Sequence, residues 1–255
     1  MTTIKQKLKS NQPVIGGLAQ IPSPIHVNLM AKSGFDFLAI DMVHVAIDIE
    51  SLPLLFQAMA GTDCLPMVRL HTHDPLTVKR VLDAGAKGLI IPMVDSAELA
   101  QSVITASLYP PKGKRGIGFC NANRYGSEFM ENFSHINDEL VIVVQIESVK
   151  AVSQIDAIFS ISEIDAMMIG PYDLSGTMGK VGQFEDPKFC QVLDQILAAA
   201  KRHGVAPGIH VVNPDTAYAN QKIQEGYRFI AYSMDGILVQ HVCREHLTAL
   251  NTHNQ

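Results

Sequence analysis

Seven polar side chains in this chain stand where short apolar runs end: Asp41 with His44 three residues on, Arg69, Gln145 with Glu147, Asp173 and His210. Two carboxylates on neighbouring elements, Glu147 and Asp173, can hold a hard divalent cation that completes its octahedron with waters and substrate oxygens. Asp173 is equally suited to N-cap the helix that follows it, and the amides of such a helix start can grip a substrate carboxylate. Arg69 offers a rigid fork of donors for a carboxylate or a developing enolate oxygen, or else makes a structural ion pair. His44 offers an imidazole suited to general-base work, the alternative being a merely packed ring. The "HTH" at 71–73 has the spacing of an H-x-H zinc pair, but no further histidine or lysine pattern completes such a site.

These residues need elements that bring them to one place. Short apolar, often β-branched runs alternate with longer amphipathic stretches, the signature of parallel strands joined by helices. Eight strands are expected at 14–18, 37–41, 65–69, 88–92, 140–147, 166–170, 206–210 and 228–232. Helices are expected at 51–60, 75–84, 96–108, 187–203 and 214–225, several opening on Ser, Asp or Pro and ending near Gly85, Gly204 and Gly226. Eight strand–helix units in 255 residues predict an α/β fold, a (β/α)8 TIM barrel filling residues 1–255 as one domain. A doubly wound sheet is disfavoured because no G-x-G-x-x-G turn follows the first strand. In a barrel the C-terminal strand ends share one mouth, so all seven polar residues converge there. The stretch "YPPKGKRGIGFCNANRYGSEFMENF", 109–133, is long for a barrel connection and is expected to form a lid or wall over that mouth.

Composition narrows the partners. The chain is 47% hydrophobic and 18% charged with a net charge of −5, and its basic residues are scattered, which excludes a nucleic-acid footprint. Cys64, Cys120, Cys190 and Cys243 lie far apart with no C-x-x-C pair, as expected of reduced thiols in a cytoplasmic protein. No apolar run reaches the ~18 residues of a membrane span, and the N-terminus lacks an apolar signal core.

Together, "AKSGFDFLAIDMVH", "MVRLHTHDP", "VLDAGAKGLIIPMV", "YPPKGKRGIG", "VVQIESVKAV", "MMIGPYDLSGTMG", "GVAPGIHVVNPD" and "GYRFIAYSMD" span nearly the whole chain. In these segments the chain resembles the HpcH/HpaI family of class II, metal-dependent pyruvate aldolases, which includes 4-hydroxy-2-oxoheptanedioate and 2-keto-3-deoxy sugar-acid aldolases. The resemblance implies that Glu147 and Asp173 bind magnesium, manganese or cobalt, with Gln145 flanking the ion. It implies that Arg69 stabilises the pyruvate enolate and that His44 relays protons, oriented by Asp41 and by Asp83 of a neighbouring subunit. The backbone of Gly170, Pro171, Tyr172 and Asp173 would hold the pyruvate carboxylate. A hexamer, a trimer of dimers exchanging a C-terminal helix, is implied as well.

The chain also departs from that pattern. Val43 stands where relatives usually carry a glutamate, Leu70 and His73 replace a proline and an asparagine, tryptophan is absent, and His210 sits where an apolar residue often lines the aldehyde side of the pocket. The strand ends carry no lysine for a Schiff base, which favours metal over imine chemistry. The first expectation is therefore a metal-dependent carbon–carbon lyase acting on a small 2-oxo acid and an aldehyde. The second is a citrate synthase of siderophore assembly that condenses oxaloacetate with acetyl-CoA, His44 or His210 acting on the acetyl donor. A catalytically silent ligand-binding barrel, suggested only by Val43, is the third.

Overall fold

The computed structural model describes residues 2–251. Eight parallel strands close in sequence order: β1 Val14–Ala19, β2 Phe37–Asp41, β3 Leu65–Arg69, β4 Gly88–Ile91, β5 Val141–Ile146, β6 Ala166–Ile169, β7 Gly208–Val211 and β8 Phe229–Met234. The expected TIM barrel is thus present, each strand within two residues of its sequence reading at either end. The outer helices are α2 Pro24–Lys32, α3 Leu52–Met59, α4 Pro75–Asp83, α5 Ala97–Ser107, α6 Phe129–Glu139, α7 Val149–Ser153, α8 Ile155–Phe159, α9 Pro171–Thr177, α10 Pro187–His203 and α11 Thr216–Glu225. Two more, α1 Ile4–Lys9 and α12 Asp235–Asn251, precede and follow the barrel. Start and stop signals act as chemistry requires: in α10, Asp186 accepts from the amides of Lys188 and Phe189, Pro187 opens the helix, and Gly204 ends it at φ 71°.

The period-two alternation of a strand sorts the core into two layers. Leu38, Ile40, Val68, Leu89, Ile91, Ile142, Val144, Ile146, Met167, Ile169, Ile209 and Ile230 face the helices and form the larger cluster. Their neighbours Leu18, Phe37, Ala39, Met67, Ile90, Val141, Val143, Ala166, Met168, Phe229 and Ala231 fill the barrel, with Ile4 and Leu8 of α1 in the same cluster. Phe37 and Phe229 stack at 4.4 Å between centroids near the strand starts. Continuing the inward series upward gives Gln20, Asp41, Arg69, Gln145, Glu147, His210 and Ser233. The polar residues are therefore the topmost layer of an otherwise apolar interior.

One expectation is overturned. Residues 109–133 do not cover the mouth, because they join the end of α5 to the start of β5 and both lie at the opposite face. The Asn121 side chain donates to the Ala84 carbonyl at 2.8 Å, and Arg115 pairs with Asp83 at 2.8 Å, both just beyond or at the end of α4. Segment length was the wrong guide, since a helix-to-strand connection in this topology returns to the strand starts.

Helix α12 leaves the barrel with residues 239–250 exposed, among them Val239, Val242, Leu247 and Leu250. No helix among the described residues is long and apolar enough to cross a membrane.

Tight packing at the strand starts is testable. A Cβ on Gly208 would meet the Met167 and Phe229 carbonyl oxygens at 2.4 and 2.5 Å, whereas one on Gly17 finds nothing nearer than 3.6 Å. Gly208→Ala should lower stability by about 1–3 kcal/mol, and Gly17→Ala should stay within about 1 kcal/mol of the parent, read from urea unfolding midpoints.

Candidate active site

Asp41 ends β2 beside Arg69, which ends β3, and the strand register pairs the two residues directly. The Arg69 Nε and Nη2 donate to the two Asp41 carboxylate oxygens at 2.9 and 2.6 Å, a bidentate pair with both side chains buried. Asp41 also accepts from Gln20 Nε2 at 2.8 Å and, through Oδ1, from the Val43 amide at 3.0 Å. Burial opposes ionisation of Asp41, yet Arg69, Gln20 and the amide outweigh it and hold the carboxyl below its ordinary range. The fork keeps Nη1 for a ligand, as two of its nitrogens serve Asp41.

The Val43 contact is an Asp turn that throws His44 out to solvent. It uses the Val43 backbone, so the loss of a glutamate side chain there leaves the turn intact. Among the described residues no hydrogen bond joins His44 to Asp41, whose oxygens are already engaged. Asp41 is bonded to Arg69 instead, and holds that fork in place. Asp83 ends α4 at the far face, held by Lys79 and Arg115, and does not reach His44 within one chain.

Across the mouth, Glu147 follows β5 and Asp173 sits in the first turn of α9. Met93 donates its amide to Glu147 Oε1 at 2.5 Å, and Gln145 Nε2 donates to Oε2. Burial, with the Asp173 charge adding to it, pushes Glu147 up to about 7 against the opposing help of Met93, Gln145 and Arg69. Gly170, not Asp173, is the N-cap of α9, so Asp173 is an exposed third residue of the helix whose carboxylate is not spent on capping. Pro171 is buried at the first helical position, and Tyr172 is half-exposed next to it.

Two features fit a cation here. A Cβ on Gly170 would lie 2.9 Å from both Glu147 Oε2 and Gln145 Nε2, so glycine keeps the space beside the carboxylate open. Gln145 Oε1 is buried without a hydrogen-bond partner, an acceptor left for something else. A caged site is absent: among the described residues no group of three or more His, Cys, Asp or Glu could hold an ion. Two carboxylates with the remaining positions open is the donor set a hard divalent ion uses when substrate completes its shell. His73 is not part of it, because its Nε2 bonds the Pro92 carbonyl.

His210, one residue before the end of β7, has a buried ring with its Nε2 unpartnered. Burial and the nearby Arg69 charge push it down to about 4, so it is a neutral imidazole at physiological pH. The structure adds residues that the sequence reading missed. Gln20 lies two residues beyond the expected first strand, in no motif. Met93 acts through its amide at φ 50°, a backbone role with no side-chain signature, and Ser233, at φ 57°, donates its hydroxyl to the Val212 carbonyl. Asp235, fully buried at the start of α12, accepts from the amides of Gln20 and Ile21 at 3.0 and 2.9 Å.

Comparison with known proteins follows the same residues. A family profile described as HpcH/HpaI aldolase/citrate lyase matches residues 20–242. A 4-hydroxy-2-oxo-heptane-1,7-dioate aldolase from Salmonella heidelberg is 34% identical over 92% of this chain and 89% of its own. The crystal structure of an HpcH/HpaI aldolase/citrate lyase family protein from Burkholderia cenocepacia J2315 superposes with a TM-score of 0.92 at 30% identity, covering 98% of this chain and all of the other. That of the citrate synthase SbnG superposes at 0.86 with 26% identity over the whole of both chains.

The Glu147 environment has a pH signature. Its carboxyl is weakly acidic when folded and ordinary when unfolded, so the metal-free folded state loses relative stability as pH rises from about 4.3 to about 7. Glu147→Gln removes this slope. In chelator at pH 8 it should be more stable than the parent by about 2–4 kcal/mol, with little difference at pH 4, measured by urea denaturation.

Proposed function

The chain belongs to the HpcH/HpaI aldolase/citrate lyase family and is a carbon–carbon lyase; from that premise we propose that it cleaves or forms the bond next to a 2-oxo acid through the enolate of pyruvate, with a divalent metal at Glu147 and Asp173. The observation that carries this reading is the buried Glu147, hard to ionise unless a cation joins it, set against Asp173 on one side and Arg69 on the other. Magnesium, manganese or cobalt at that position supplies Lewis acidity to the 2-oxo group.

The chain's own residues account for the rest. The amides of Tyr172 and Asp173, in the first turn of α9 where backbone N–H groups have no intrahelical acceptor, receive the substrate carboxylate. In cleavage, the C4 hydroxyl loses its proton to the His44 imidazole, the C3–C4 bond breaks, and an aldehyde departs. The electron pair moves to the 2-oxo oxygen, toward which Arg69 directs its remaining donors. Return of a proton to C3 gives pyruvate. Asp41 keeps the Arg69 fork in place throughout, so little reorganisation accompanies charge development.

Oligomerisation completes the proposal. Exposed apolar residues on α12 and the exposed Ile25 and Leu29 on α2 are suited to cover one another between copies of the chain, and a second copy would also bring its Asp83 to the mouth as a partner for His44. A cytoplasmic, hexameric enzyme with small-molecule substrates and neither nucleic-acid nor membrane partners is the reading offered. A second chemistry, citrate formation from oxaloacetate and acetyl-CoA, is favoured by the match to the citrate synthase over its whole length and by the neutral His210 ring, which can accept or donate a hydrogen bond without carrying charge.

Pyruvate in heavy water, followed by NMR, tests the proposal. Metal-loaded protein should exchange the methyl protons, and chelator or Glu147→Gln should abolish the exchange. Coenzyme A release from oxaloacetate and acetyl-CoA, without pyruvate exchange, would favour the citrate-forming reading instead.

A further inference from the structure

We propose that His73 is a positioning residue for Glu147, acting through the single peptide unit between Pro92 and Met93; the inference rests on the reading of Glu147 as a metal ligand. The His73 Nε2 lies 2.7 Å from the Pro92 carbonyl oxygen. A carbonyl only accepts, so that nitrogen carries its proton and donates. The other end of the same peptide, the Met93 amide, donates to Glu147 Oε1 at 2.5 Å. The C=O and N–H of a trans peptide point in opposite directions in one plane. His73 on one side and Glu147 on the other therefore fix the rotation of that plane between them.

This peptide needs fixing. Met93 holds φ at 50°, a left-handed conformation that a long side chain seldom adopts unless its surroundings impose it, and its side chain is exposed and packs too little to do so. The chain just beyond is tied down as well: Asp95 accepts from the Ser148 hydroxyl at 2.5 Å, next to Glu147 itself. The segment 92–95 is thus a strap from the β3–α4 loop to the end of β5, and His73 is its fastening on the β3 side. Loss of the His73 bond frees the Pro92 carbonyl to turn. The Met93 amide turns with it, and Glu147 loses the donor that keeps Oε1 engaged and aims the carboxylate beside Gly170. This gives the third residue of the "HTH" stretch a role that needs no metal at the histidine.

The test is Mn2+ binding by metal-stripped protein, read by electron paramagnetic resonance of the free ion, so that it does not depend on turnover. Parent, Glu147→Gln, His73→Ala, His73→Phe and His73→Gln are compared, with an unfolding transition recorded for each. His73→Phe keeps the ring's bulk and removes the donor, while glutamine places an amide near the position of Nε2. The expected result is a loss of Mn2+ affinity of about tenfold or more in His73→Ala and His73→Phe, with His73→Gln within about threefold of the parent. Parent-like affinity in His73→Phe, or equal weakening in all three variants, would overturn the role of His73. Failure of the parent to bind Mn2+, or binding that survives Glu147→Gln, would instead overturn the metal reading on which the inference stands.

Discussion

The bidentate pair between Arg69 and Asp41 is the interaction around which the mouth of this barrel is organised. Both charges are buried at the top of an interior filled with Phe, Met, Val and Ile, where an unpaired guanidinium or carboxylate costs several kcal/mol. The pair solves that problem and, in doing so, sets geometry. Arg69 cannot swing, Asp41 is committed, and the remaining carboxylate valences go to Gln20 just beyond β1 and to the Val43 amide that turns the chain toward His44. Asp235 extends the arrangement by holding the Gln20 and Ile21 amides, so the first turn of α12 and Arg69 share one hydrogen-bonded chain.

On the opposite wall the same burial acts on Glu147, with the reverse outcome. Among the described residues no cation forms an ion pair with it, Asp173 adds a like charge, and the carboxyl is left with a proton affinity unusual for glutamate. One wall therefore presents the Arg69 guanidinium and the other a carboxyl whose ionisation burial disfavours. On the proposed function, a planar 2-oxo acid between them would meet a donor at its oxygen and a metal-binding edge at its carboxylate side. Gly170 makes the approach possible because any side chain there would touch Glu147.

Much of this was legible before any coordinates. Alternation of apolar runs located all eight strands, and each polar strand end then belonged to one rim, which placed Asp41, Arg69, Gln145, Glu147, Asp173 and His210 together. What the sequence hid has physical causes. Asp173 could cap or bind, and only the position of Gly170 one turn earlier decides that it does not cap. The resemblance set His44 beside Asp41, and the strand register adds what no motif shows, that Asp41 pairs with Arg69. The backbone donor at Met93 is invisible in residue types. The excursion 109–133 looked functional by length and composition, but a connection's face in a barrel is set by which ends it joins.

The claim at the centre is that Arg69 and the two carboxylates form one site for an enolate and a divalent ion. Isothermal titration of oxalate, a planar mimic of the pyruvate enolate, into the protein tests it most directly. Binding should need Mg2+ and should weaken about tenfold or more in Arg69→Lys, which keeps the charge and loses the fork. Oxalate that binds equally well in chelator, or that ignores the lysine substitution, would contradict it.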